Sequence, residues 1–123
     1  MAFILVIDDE VPIQELIKFV LGEAGHEVRC ADNGVAGLIA QQERPADLII
    51  CDLFMPEKEG LDTIQELHRK FPQVKVIAIS GGYRADGRID FLPVAKKFGA
   101  TETLHKPFMA KELAKLVEEV LRG

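Results

Sequence analysis

Residues 5–12 read LVIDDEVP: an apolar run that stops abruptly at Asp8, Asp9 and Glu10, followed by Val11 and Pro12. With Phe3 and Ile4 included, the run has no polar alternation, as expected of a strand covered on both faces. Directly after it, Ile13, Leu16, Ile17, Val20 and Leu21 recur at helical spacing. Pro12 suits the first turn of that helix, where no amide donor is required, and Gly25 marks its stop. This unit therefore predicts a buried strand, a tight acidic turn and a helix packing back on the sheet.

The same alternation continues along the chain. Val28–Ala31 predicts a short second strand. Val35–Gln42 predicts a helix weakened by Gly37, with Pro45 beyond its end. Leu48–Cys51 predicts a third, buried strand. Leu61, Ile64, Leu67 and Phe71 mark a helix stopped by Pro72, and Val74–Ile79 predicts the fourth strand. Residues 81–89, rich in Gly and Arg, predict a loop. Asp90 is the expected cap of a fourth helix, opened by Phe91, Leu92 and Pro93, running to about Phe98 and ended by Gly99. Thr101–His105 predicts a fifth strand. Leu113, Leu116, Val117, Val120 and Leu121 outline the last helix. Five βα units imply a doubly wound, mostly parallel five-stranded sheet with helices on both faces, in three layers. More than one strand order is compatible with this pattern. The order 2-1-3-4-5 places the switch point between strands one and three, beyond whose carboxyl ends ligands bind.

Composition narrows the function classes. The 123 residues suit one domain, and 48% hydrophobic with 28% charged is ordinary for a globular chain. No apolar stretch reaches the ~20 residues that span a bilayer, and the N-terminus lacks a signal-peptide pattern, so no membrane insertion is expected. The net charge of −5 is uneven: residues 1–83 hold 14 acids and 7 bases, residues 84–123 hold 6 acids and 8 bases. That is not the strongly basic footprint of a nucleic-acid binder, and no direct nucleic-acid binding is expected. Cys30 and Cys51 lie in apolar runs without metal-type spacing and are expected to be reduced thiols in a cytoplasmic protein.

The predicted strand ends carry the chemistry. Strand one ends at Asp8-Asp9, strand three at Asp52, strand four at Ser80, and strand five runs into Lys106-Pro107. Two like charges ~4 Å apart cost about 4 kcal/mol at an effective dielectric of about 20. Clustered carboxylates therefore call for a cation. Lys106 supplies one charge, and a hard divalent ion such as Mg²⁺, which accepts a few carboxylates and retained waters, supplies two.

The pieces ILVIDDE, DLIICDLFMPEKEGLDTI, VIAISGG and GATETLHKPF resemble the receiver (phosphoacceptor) domain of bacterial two-component response regulators, over essentially the whole chain. The combination of Asp-Asp, Asp-x-x-Met-Pro-x-x-x-Gly and Lys-Pro-Phe at these separations is specific. The resemblance implies the flavodoxin-like order 2-1-3-4-5. It implies Asp52 as phosphoryl acceptor, with Mg²⁺ held by Asp9, Asp52 and the Phe54 backbone carbonyl, and by Asp8 through a bound water. It implies Ser80 and Lys106 as contacts to the phosphoryl group, and a cis bond between Lys106 and Pro107. Implied partners are a sensor histidine kinase or histidine phosphotransfer protein as donor, and a protein target on the face of helix four, strand five and helix five, including Lys96, Lys97, Lys111 and Lys115. His26, His68 and His105 are not expected to be internal donors. The chain is expected to be a single receiver domain over 1–123 without an output domain, stand-alone or excised, and not an enzyme beyond its own phosphorylation and dephosphorylation.

Three features depart from the family pattern. Thr103 stands where an aromatic residue usually precedes the conserved lysine, so output is expected to rely on loop and backbone movement. The stretch GGYRADGRIDFLP lengthens the span from Ser80 to Lys106, and reads either as a mobile partner-contact segment or as a plain insertion. Phe54 offers no polar group to orient water, so slow self-dephosphorylation is expected. Two alternatives carry less weight. An Asp-nucleophile phosphatase usually has a second Asp where Phe54 stands, and a flavin or nucleotide carrier would need a phosphate-cradling loop where Asp8-Asp9-Glu10 repels phosphate. A phosphate-independent pseudo-receiver is disfavoured because every site position is filled.

Overall fold

The computed structural model describes residues 1–53, 60–81 and 92–123. Strands β1 (Phe3–Ile7), β2 (Glu27–Ala31), β3 (Leu48–Asp52), β4 (Lys75–Ser80) and β5 (Glu102–His105) alternate with helices α1 (Val11–Glu23), α2 (Gly34–Glu43), α3 (Gly60–Lys70), α4 (Leu92–Lys97) and α5 (Ala110–Arg122). All strand pairs are parallel and the order is β2-β1-β3-β4-β5, as the resemblance implied. Most of the predicted 81–89 loop, together with Asp90 and Phe91, lies outside the described residues. The fourth helix is described from Leu92 and ends at Lys97, one residue short of the expected Phe98.

The pleat sorts each central strand onto two cores. Leu5, Ile7, Ile49, Cys51, Val76 and Ala78 pack with Ala40 of α2, Ile64 and Leu67 of α3, and Leu92 and Ala95 of α4. Their neighbours Ile4, Val6, Leu48, Ile50, Ile77 and Ile79 face the other way, against Ile17 and Leu21 of α1 and Leu113, Val117 and Val120 of α5. Period-2 alternation thus explains why β1 and β3 read as unbroken apolar runs: both faces are covered. Right-handed crossovers fix which face each helix takes. The step from β1 to β2 runs opposite to the steps from β2 through β5, so α1 lies on one face and α2, α3 and α4 on the other. The two directions of winding part between β1 and β3.

Helix boundaries follow local chemistry. Pro12 stands in the first turn of α1, and the Asn33 side chain caps α2 by accepting from Ala36 N at 2.8 Å. Gly25 and Gly99, beyond α1 and α4, have φ of +92° and +121°, a region that other residues avoid. The two cysteines are free and stand on β2 and β3, with β1 between them. Among the described residues no helix is long and apolar enough to cross a membrane.

Candidate functional site

The acidic turn after β1 is held by its own backbone. Asp8 N–H donates to Ala31 O at 3.1 Å, extending the β1–β2 ladder by one bond. Asp8 Oδ1 accepts from Glu10 N at 2.8 Å, closing a tight turn that drives the chain into α1. Gln14 reaches back from α1 and donates from Nε2 to Asp8 O at 2.6 Å and to Asp32 Oδ1 at 2.9 Å. Asp8 is consequently fully buried, while Asp9 and Glu10 face solvent.

Asp52 is the last residue of β3 and is 4% exposed. The chain beyond it is pinned by Leu53 N–H donating to Ile79 O at 3.0 Å. Gly60 N–H, at the start of α3, donates to Leu53 O at 2.9 Å. A Cβ on Gly60 would run into the Asp52 carbonyl oxygen and lie 2.5 Å from Leu53 Cα. Only glycine lets α3 begin this close to the Asp52 backbone, a physical reason for the glycine eight positions after the acid.

Ser80 closes β4, fully buried, and its carbonyl accepts from Lys106 N at 2.7 Å. That bond carries the chain past β5 into Lys106-Pro107, whose peptide bond is cis, as expected. Lys106 Nζ lies 2.9 Å from Glu10 Oε1, 3.0 Å from Asp8 Oδ2 and 3.4 Å from Asp52 Oδ2. Burial works to lower the pKa of this ammonium, but the Glu10 hydrogen bond and the Asp52 and Asp8 charges outweigh it and hold the group above the usual lysine range. Burial pushes the Asp8 carboxyl upward, against the pull of the Glu10 amide and Lys106.

Oxygens of Asp8, Asp9, Glu10 and Asp52 all lie within 4.8 Å of one another. Asp8 Oδ2 is buried and, among the described residues, meets no aligned hydrogen-bond donor; Lys106 Nζ faces it at 3.0 Å. Among the described residues, four carboxylates stand against one ammonium and one buried oxygen lacks an aligned donor, an all-oxygen donor set that suits a hard divalent cation.

The geometry thus unites Asp8, Asp9, Asp52 and Lys106 from three strand ends, with Ser80 at the end of the intervening β4. Phe54 lies outside the described residues. Thr103 is half-buried on β5, in register with Ala78. Two participants escaped the sequence reading. Glu10 had no role assigned, yet among the described carboxylates it lies closest to the Lys106 ammonium. Gln14 is a polar residue on the stripe of Ile17 and Leu21, and that break in an apolar face was the available signal.

A doubly wound parallel sheet with its charged groups gathered at the switch point belongs to the flavodoxin-like α/β class. Within that class the chain belongs to the response regulator receiver domain family, whose model matches residues 4–118. It is 36% identical to the DNA-binding transcriptional regulator NtrC of Azospirillum brasilense, over 99% of this chain and 24% of that protein. It is 35% identical to a probable transcriptional regulatory protein of Picosynechococcus, over 98% of this chain and 49% of that one. The chain therefore spans about half or less of the length of these curated relatives. The crystal structure of the receiver domain of NtrX from Brucella abortus superimposes with a TM-score of 0.88 at 31% identity, covering 97% of this chain and 98% of that one. The phosphatase and nucleotide-carrier alternatives gain no support from these similarities.

Proposed function

We propose that this domain is a phosphorylation switch in which Asp52 accepts a phosphoryl group from a phosphohistidine. The observation that carries this reading is the convergence of Asp8, Asp52 and Lys106 within 3.4 Å contacts at the switch point, where a buried Asp8 oxygen lacks an aligned hydrogen bond among the described residues. Asp9, Asp52 and the Phe54 carbonyl would hold Mg²⁺, with Asp8 acting through a bound water. When bound, that ion would supply positive charge to neutralise the carboxylates and the incoming phosphoryl oxygens.

The protein's own groups do the rest. An Asp52 carboxylate oxygen attacks phosphorus, an oxygen–phosphorus bond forms, the donor's phosphorus–nitrogen bond breaks, and the released imidazole takes up a proton. Burial of Asp52 keeps the attacking oxygen in one orientation, which matters because phosphoryl transfer depends chiefly on positioning and charge stabilisation. Lys106 donates to a phosphoryl oxygen, and the Ser80 hydroxyl to another. The chain promotes its own phosphorylation and dephosphorylation but has no further substrate.

The donor is a sensor histidine kinase or histidine phosphotransfer protein, and the setting is the bacterial cytoplasm. The output is altered binding of a protein target on α4, β5 and α5, where Lys97, Lys111 and Lys115 favour an acidic surface and Lys96 is paired with Glu102 at 3.3 Å. Direct nucleic-acid binding is no part of this reading. With Thr103 in place of an aromatic residue, the signal travels through the loops and backbone around Ser80.

Incubation with acetyl phosphate and Mg²⁺ followed by intact-mass measurement tests the core claim. Wild type gains one phosphoryl group and Asp52→Asn gains none. A mass gain on the Asp52→Asn protein, or none on wild type, overturns it.

A further inference from the structure

Glu10 raises a question that the acceptor role of Asp52 does not answer. An ammonium group has three N–H donors, and around Lys106 three carboxylates already occupy the nearest positions: Glu10 at 2.9 Å, Asp8 at 3.0 Å and Asp52 at 3.4 Å. Of these only the Glu10 contact is an aligned hydrogen bond with an acid that faces water. Asp8 and Asp52 are buried and cannot withdraw without stranding a charge.

Glu10 differs from them in a second way. Its backbone is fixed, with the N–H donating to Asp8 Oδ1 and the C=O accepting from Ile13 N and Gln14 N, yet its side chain is not used to cap α1. Only the side chain is free to swing into solvent, where a carboxylate is fully hydrated.

We propose that Glu10 is a displaceable counter-ion for Lys106, which occupies the ammonium in the resting domain and yields it to the phosphoryl group on Asp52. This rests on the reading of Asp52 as acceptor and adds a positioning residue to it. Two consequences follow from the chemistry. Glu10 parks Lys106 over the acid pocket before any ligand arrives, and it competes with the phosphoryl oxygens for the same N–H donor. It therefore sets the ease of switching without touching phosphorus. Removing its charge while keeping its shape loosens that hold and favours the phosphorylated form.

The test compares wild type, Glu10→Gln and Glu15→Gln, the last removing an exposed acid from the next turn of α1. Beryllofluoride, a phosphoryl mimic, is titrated at saturating Mg²⁺ and followed by amide chemical shifts. Glu10→Gln is expected to bind about fivefold more tightly, the upper end of what an exposed ion pair is worth, while Glu15→Gln stays within about twofold of wild type. Unchanged or weaker binding by Glu10→Gln, or an equal gain from Glu15→Gln, overturns the inference, since the latter would show general charge repulsion alone. If wild type gains mass from acetyl phosphate while Glu10→Gln shows no tighter binding, the counter-ion role fails and Asp52 stands as acceptor. If wild type gains no mass, both fall.

Discussion

The two ends of the sheet treat charge in opposite ways. At the amino ends of the strands, acids meet matched partners. Asp47 Oδ2 accepts from Phe3 N at 2.8 Å, Glu27 holds both arms of Arg44 at 2.7 and 2.9 Å, and His26 meets Glu118 at 2.8 Å. Arg44 also lies over the Phe3 ring, 3.8 Å from its centroid. At the carboxyl ends, among the described residues, four carboxylates cluster, three of them on Lys106, and a buried oxygen has no aligned donor. One end is arranged for stability. The other keeps, among its described residues, a charge imbalance that folding alone would select against, which is the expected mark of a functional site.

Backbone packing shows the same contrast, and with the largest expected effect. Gly60→Ala pushes a methyl group into the Asp52 carbonyl and Leu53 Cα, atoms that cannot swing aside. It is expected to cost roughly 1–3 kcal/mol of stability, the range of an overpacked core, and to displace the Asp52 end of β3. Gly22, in the last turn of α1 at the opposite end, has open space around it: a Cβ there would meet nothing within 4 Å. Gly22→Ala is expected to stabilise by about 0.5–1 kcal/mol through helix propensity and a less free unfolded chain. Urea unfolding of the two variants checks this, and effects of the same sign would break the contrast.

A smaller pair of substitutions probes the charges directly. Asp8→Asn keeps an acceptor for Glu10 N but removes one buried negative charge, so in EDTA the melting point is expected to rise by roughly 3–6 °C, the shift that about 1 kcal/mol produces at this size. Asp47→Ala strips the Phe3 amide of its acceptor and is expected to fall by a similar amount. Added Mg²⁺ is expected to raise the melting point of wild type and Asp47→Ala alike, and that of Asp8→Asn less, because binding to the native state stabilises it. Differential scanning calorimetry with and without the ion reads all three. A drop in EDTA for Asp8→Asn would show that its contact with Lys106 outweighs the repulsion around it.

Much of this contrast was legible in the chain, and the reasons are specific. β1 and β3 announced themselves because a strand buried on both faces is an unbroken apolar run, and Asp8 and Asp52 stood out as the acids that terminate such runs. Gly25 and Gly99 marked helix stops because few other residues accept positive φ. Strand order was less accessible: period and spacing left two windings open, and the resemblance made the choice. Gly60 was part of a recognised motif, but the collision with Asp52 O depends on a backbone approach that no local pattern encodes. Gln14 and Glu10 were missed for a related cause. Their partners, Asp32 and Lys106, lie 18 and 96 positions away, and only the closed fold brings them together.

The smallest expected effect lies at the amino end, in the exposed Glu27–Arg44 pair. Arg44 holds the Glu27 carboxyl below its ordinary range chiefly by its hydrogen bonds, but both side chains are about half exposed, so solvent and salt screen the attraction. Glu27→Gln is expected to shift the melting point less than Asp47→Ala does. The shift should shrink further as salt rises toward 0.5 M, a concentration chosen so that the Debye length falls to about 4 Å. The Mg²⁺-induced rise should equal that of wild type, because Glu27 lies at the far end of β2 from Ala31 and the acidic turn. A reduced Mg²⁺ response in Glu27→Gln would mean that the two ends of the sheet are energetically coupled, and the division of labour drawn between them would have to be given up.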